Sequence, residues 1–196
     1  QAERSYKSLG QWSHRPDSTV RDDSPDVYVQ GSFRLGTAIR RASDEEDYDI
    51  DMVCRHDYEK SALTQAELKR RVGVEVKAYA RRYDMSKPED GRRCWTLVYA
   101  DGAQFHMDIL PAVPDFEKRR YLSEAAPALA RLGATALAIT DKEHDGFRQA
   151  GGRWPRSNPK GYALWFRDRM GQAFRSRALN EARRMQASVE DVPAWR

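Results

Sequence analysis

Two short runs constrain this chain more than any other feature: Tyr48-Asp49-Ile50-Asp51-Met52-Val53 and Phe105-His106-Met107-Asp108-Ile109-Leu110. Both alternate apolar and polar residues, the pattern of a strand with one buried face. Side chains alternate faces along a strand. Asp49 and Asp51 therefore point one way, and Tyr48, Ile50 and Met52 the other. In the second run Phe105, Met107 and Ile109 share a face, which leaves Gln104, His106 and Asp108 opposite. If the two strands are near neighbours, burying both apolar faces in one core brings three carboxylates together on the other side of the sheet.

Converging carboxylates repel, so a fold tolerates them only with something positive between them. Mg²⁺ suits such a set, because it takes oxygen ligands from a few carboxylates together with substrate phosphates. Two such ions roughly 3.5–4 Å apart stabilise both the attacking and the leaving oxygen of an in-line displacement. Ahead of the acids, the apolar run Val27-Tyr28-Val29 closes on Gln30-Gly31-Ser32. Glycine lets backbone approach a phosphate closely and serine adds a hydroxyl donor. The stretch Phe33–Arg40 reads as a loop or short helix whose N–H groups favour an anion. Gln30, Gly31 and Ser32 are thus the candidate nucleotide- and phosphate-binding residues, and Asp49, Asp51 and Asp108 the candidate catalytic residues and metal ligands. A Gly-Ser pair alone is usually a turn, and a lone Asp-x-Asp a solvated strand face. What singles these out is their joint occurrence, in order, on strand-like runs. Neither GxxxxGK[ST] nor GxGxxG occurs, so the common P-loop and Rossmann grips are absent.

Gly-Ser, then Asp-x-Asp, then a later strand aspartate resembles the DNA polymerase β-type nucleotidyltransferase superfamily. More narrowly, Gln-Gly-Ser-Phe-Arg-Leu-Gly-Thr from Gln30, Tyr-Asp-Ile-Asp-Met-Val from Tyr48 and His-Met-Asp-Ile-Leu-Pro-Ala-Val-Pro from His106 resemble the cGAS/DncV-like nucleotidyltransferases (CD-NTases, or SMODS proteins) of bacterial anti-phage defence. Ser157-Asn158-Pro159-Lys160-Gly161-Tyr162 with Trp165-Phe166 is similar to that family's continuation. The resemblance spans roughly Asp26 to Met170.

It implies an α+β fold: a polymerase β-like core with a mixed or antiparallel sheet flanked by helices, an N-terminal brace helix and the start of a helical C-terminal lobe. Residues 1–25 are then the end of the brace helix and a linker, 26–150 the catalytic core, and 151–196 a connector and long helix. It also implies a cyclic di- or trinucleotide synthase using two Mg²⁺ ions, with Mn²⁺ as a substitute. Its partners would be NTPs (ATP or GTP, with pyrimidine NTPs open), a downstream effector that binds the cyclic product, and regulatory proteins. No nucleic-acid activator and no membrane is implied. Two other classes stay open: a polymerase β-like enzyme that modifies an RNA end or a protein, and a non-catalytic nucleotide-binding module.

Composition narrows the class without deciding it. The chain has 196 residues, a net charge of +4 and a pI of about 9.1, a balance that fits a polyphosphate binder and many plain domains alike. No apolar run reaches the roughly 18 residues of a spanning helix, and no charged-then-apolar leader opens the sequence. Cys54 and Cys94 are far apart, and neither they nor His14, His56, His106 and His144 show metal-ligand spacing. Reduced thiols in the cytoplasm are the expectation. The opening Gln1 and the absence of a closing element at Arg196 suggest a piece trimmed at both ends.

Elsewhere, Leu9 and Trp12 sit at helical spacing, and Thr64-Gln65-Ala66-Glu67 is a capping box opening a helix striped by Leu68, Val72, Val76, Tyr79 and Tyr83. Residues 94–100 and 103–110 flank Asp101-Gly102, a signal for a hairpin with a tight two-residue turn, with Pro111 and Pro114 as its expected terminators. His106 is read as a satisfied strand histidine, Asp115 as a turn residue and residues 151–155 as a flexible connector. A long helix is expected from about Lys160 to Ala187, with Tyr162, Phe166, Met170 and Phe174 on one stripe.

Overall fold

The computed structural model describes residues 2–38, 48–99 and 105–190. The acidic stretch 42–47 of the sequence, the Asp-Gly pair at 101–102 and Gln104 lie outside them. The order is α1 (Ala2–Ser13), β1 (Asp26–Val29), α2 (Gly31–Leu35), β2 (Tyr48–Arg55), α3 (Gln65–Arg82), β3 (Glu89–Asp90), β4 (Trp95–Tyr99), β5 (Phe105–Pro114), α4 (Phe116–Ala125), α5 (Pro127–Gly133), β6 (Leu137–Ile139), β7 (Arg156–Ser157) and α6 (Pro159–Glu190). One mixed sheet runs β1-β2-β5-β4-β3, with β6 and then β7 added beside β5. Among the described residues β2–β5 is the one parallel pair; the others are antiparallel. This is the mixed α+β architecture expected of the sequence. No helix among the described residues is long and apolar enough to cross a membrane.

The alternation fixes which face is core. Ile50, Met52, Met107 and Ile109 are fully buried and pack with Leu97, Phe105 and the α3 stripe of Leu68, Val72, Val76 and Tyr79. Each such side chain contributes roughly 1.5–3 kcal/mol by leaving water. Tyr83, expected on that stripe, is exposed because it caps the helix end. The capping box forms as read: Thr64 Oγ1 accepts from Glu67 N, and the Glu67 carboxylate accepts from Thr64 N at 2.8 Å. Leu9 of α1 joins the same core, and Arg15 and Thr19 bind the buried Glu75 carboxylate of α3.

Gly73 lies where α3 crosses β4. A Cβ there would stand 2.3 Å from Trp95 Cζ2, and the indole is pinned because its N–H donates to Lys69 O at 2.8 Å. Alanine ordinarily gains about 1 kcal/mol over glycine in a helix. Overpacking here costs about 1–3 kcal/mol, so Gly73→Ala is expected to lower the melting temperature. An unchanged or raised value would mean that α3 and β4 can separate freely.

Three expectations need correction. β5 does not stop at Pro111 but runs to Pro114. Pro111 falls where one flank of β5 changes partner: β4 reaches Ile109 and β6 begins at Ala112. The missing N–H sits in that gap, while the Pro111 carbonyl still accepts from Thr140 N at 3.3 Å. Asp115 is not a mere turn residue. It is a buried N-cap of α4, accepting from Lys118 N at 3.0 Å and from Arg156 Nε at 2.8 Å. The connector at 151–155 is anchored by Trp154, which is buried in the main core. α6 forms as expected, but Tyr162, Met170 and Phe174 on its stripe are exposed.

Candidate active site

The face of the sheet opposite α3 carries the acids. Along β2 and β5 the parallel register sets Asp49 against His106 and Asp51 against Asp108. On the far flank of β5, Thr96 of β4 stands opposite Asp108. Beyond β2, Gln30 N donates to Asp51 O at 2.8 Å, carrying the β1–β2 pairing one residue past Val29. A single row therefore crosses the sheet: Gln30, Asp51, Asp108, Thr96. Asp49 and His106 form the next row, with Asp49 Oδ1 3.7 Å from His106 Nδ1.

Gly31 closes the row on the β1 side. Its φ of +61° turns the chain from β1 into the short α2, a conformation that suits glycine. A Cβ at this position would lie 2.1 Å from Asp51 Oδ2. Backbone and carboxylate are thus in direct contact, and only hydrogen fits between them. Gln30, Gly31 and Ser32 are all partly exposed beside the acids. Gly36, with a φ of +71°, ends α2, and Thr37 N folds back to Ser32 O at 3.0 Å.

The electrostatics follow from this crowding. The Asp51 carboxyl is raised from its ordinary range, first by burial, then by the like charges of Asp108 and Asp49. Asp108 Oδ1 accepts a hydroxyl hydrogen bond from Thr96 Oγ1 at 2.5 Å. Nearby, the Cys94 thiol is pushed up to about 12 by burial, then by Asp108. At neutral pH the Cys94 thiol is therefore protonated.

Among the described residues no three His, Cys, Asp or Glu side chains are already gathered into a metal-holding cluster. Asp49 leans out toward His106 and is 76% exposed. The donor set itself fits a hard divalent ion: carboxylate oxygens from Asp51 and Asp108 side by side, with Asp49 on the same face two residues along β2. Burial is the first cause of the raised Asp51 carboxyl; a cation at this place would offset the further part that comes from Asp108 and Asp49.

Thr96 escaped sequence analysis, and the reason is a register. A two-residue Asp-Gly turn paired straight through would set Trp95, not Thr96, against Asp108. The observed pairing of Tyr99 with Phe105 leaves an odd number of residues, 100–104, between the paired ends. A one-residue slip changes which side chain meets Asp108.

Residues 25–111 match the family model described as the nucleotidyltransferase domain of DncV-like cyclic GMP-AMP synthases. The cyclic dinucleotide synthase CdnG of Bradyrhizobium diazoefficiens is 28% identical over 110 residues, 55% of this chain and 24% of that protein. The structure of the B. diazoefficiens CD-NTase CdnG in complex with GTP aligns with a TM-score of 0.59 at 22% identity, over 84% of this chain and 40% of that one. The apo form of Vibrio cholerae DncV aligns with a TM-score of 0.54 at 18% identity, over 83% of this chain and 40% of that one. The chain therefore spans about a quarter of the curated relative it matches and two fifths of these solved chains.

Proposed function

We propose that this chain, which matches the DncV-like nucleotidyltransferase domain over residues 25–111 and is similar to the cyclic dinucleotide synthase CdnG, is a cGAS/DncV-like nucleotidyltransferase that joins NTPs into a cyclic di- or trinucleotide in a metal-dependent reaction at the Asp51–Asp108 row. The observation that carries this reading is the row itself. Gly31 backbone abuts Asp51 Oδ2, Asp108 stands in register beside Asp51, and Asp49 shares their face. The GTP-bound CdnG structure supports an NTP as substrate. Cyclisation and a second-messenger role in anti-phage signalling rest on the names and the motif resemblance, and are proposed on that basis.

Phosphoryl transfer asks a protein for positioning and charge neutralisation above all. Gly31 and Ser32 would receive the β- and γ-phosphates of a donor NTP through their backbone N–H groups and the Ser32 hydroxyl. Asp49, Asp51 and Asp108 would hold two Mg²⁺ ions, with Mn²⁺ as a substitute. When bound, such ions polarise the phosphate, lower the pKa of an acceptor hydroxyl and steady the leaving group. Asp108 is the residue suited to take the proton of an attacking ribose hydroxyl, since it lies at the centre of the row.

The test is direct. The full-length protein is incubated with each of the four radiolabelled NTPs in Mg²⁺ or Mn²⁺, treated with phosphatase and resolved on a thin-layer plate. A phosphatase-resistant small product is expected, and the labels it incorporates name its bases. Label appearing in a macromolecule instead would replace this proposal with an RNA- or protein-modifying enzyme.

A further inference from the structure

Asp108 occupies an unusual position. It sits on the central strand β5, with a carboxylate beside it on β2 and a hydroxyl beside it on β4. Thr96 Oγ1 donates to Asp108 Oδ1 at 2.5 Å, at the short end of the range for a hydroxyl on a charged acceptor. One oxygen of Asp108 is thereby held on the side away from Asp51, and the other is left for a further partner. The donor is preorganised twice over. Threonine is stiff about its first side-chain torsion, and Thr96 is fixed in register by pairing on both sides, with Glu89 on β3 and with Asp108 on β5.

Strand formation does not require this hydroxyl. Valine has the same branched shape and an equal preference for a pleated surface. The apolar interior does not require it either, because Thr96 lies on the acid-bearing face and is partly exposed. What the hydroxyl does is offset the repulsion between Asp108 and Asp51. Asp49, in the next row, faces His106 instead, with Nδ1 3.7 Å from its Oδ1, and is largely exposed.

We propose that Thr96 is a positioning residue of the site: its hydroxyl holds the Asp108 carboxylate in place beside Asp51, so that the pair can receive a divalent cation. Thr96 touches neither substrate nor cation and acts through Asp108. The inference rests on the metal-dependent reading above. It predicts that cation affinity, and not only turnover, depends on one hydroxyl.

Mn²⁺ serves as the probe, counted by the loss of its free-ion electron paramagnetic resonance signal on titration with purified full-length protein. Wild type, Thr96→Val, Thr96→Ser and Asp51→Asn are compared, with melting temperatures measured alongside. Wild type is expected to bind Mn²⁺ in a manner abolished by Asp51→Asn. Thr96→Val should weaken that binding by about 10- to 100-fold, the range for removing an outer partner of a metal ligand. Thr96→Ser should restore it to within a few-fold, with the three Thr96 forms melting together. Valine binding as tightly as threonine, or serine binding as weakly as valine, overturns the role assigned to Thr96. Mn²⁺ binding indifferent to Asp51→Asn overturns it as well. A Thr96-dependent Mn²⁺ site in a wild type that makes no product from any NTP upholds the positioning role and overturns the proposed reaction.

Discussion

Asp51→Asn is expected to abolish product formation, by at least about a thousandfold or about 4 kcal/mol of barrier, while the fold survives and melts no lower than wild type. Both halves come from the same crowding. Asp51 is half-buried against Gly31, with Asp108 beside it and Asp49 two residues away. Asparagine keeps the shape and removes the charge, and with it the anionic ligand that a divalent ion requires. The stability effect has a sign that pH can read. The carboxyl of Asp51 is raised in the folded state by burial and by its acidic neighbours. The folded protein therefore keeps the proton to higher pH than the unfolded chain does. Ionisation then costs stability, a cost present at neutral pH and withdrawn as pH falls through the raised value. The asparagine variant is expected to melt above wild type at pH 7, with the gap closing toward pH 4. Mg²⁺ should raise the wild-type melting temperature and leave the variant unmoved. Asp49→Asn should lose activity comparably with little change in stability, because its side chain is largely exposed. Near-normal turnover in either variant would remove the metal assignment.

The placement of these acids was legible in the sequence because period-2 alternation admits only two answers per strand. With Ile50, Met52, Met107 and Ile109 assigned to the core, Asp49, Asp51 and Asp108 had one face left. The α3 capping box was legible for a similar reason, since Thr64 and Glu67 satisfy each other locally. What stayed hidden depends on partners distant in the chain. Thr96 meets Asp108 only through the register of a hairpin whose turn chemistry suggested a one-residue shift. Asp115 looked like a turn residue because Arg156, which binds it, lies 41 residues away. Pro111 looked like a strand terminator because its tolerance depends on where β4 ends and β6 begins. Local rules fix faces and caps, whereas long-range pairing decides which polar groups meet.

Gly31→Ala is expected to cost at least about a hundredfold in activity, about 2.7 kcal/mol of barrier, with a stability loss of only about 1 kcal/mol. Two penalties act at this position and can be separated. The first is backbone strain, because φ is +61° and an L side chain disfavours that region. The second is collision, because the new Cβ would lie 2.1 Å from Asp51 Oδ2. The atom it meets is the end of a side chain, so Asp51 can swing aside and the sheet remains intact. What is lost is the position of the carboxylate, and with it the place of an anionic metal ligand. Gly36→Ala supplies the control. Gly36 has a φ of +71° and ends the same short helix, yet an added Cβ there meets nothing within 4 Å. It carries the strain without the collision. Comparable melting temperatures for the two variants, with activity lost only at position 31, are expected from thermal denaturation and the labelled-NTP assay together. Equal activity losses at both positions would trace the effect to the shape of the turn and remove the direct role of the Gly31–Asp51 contact.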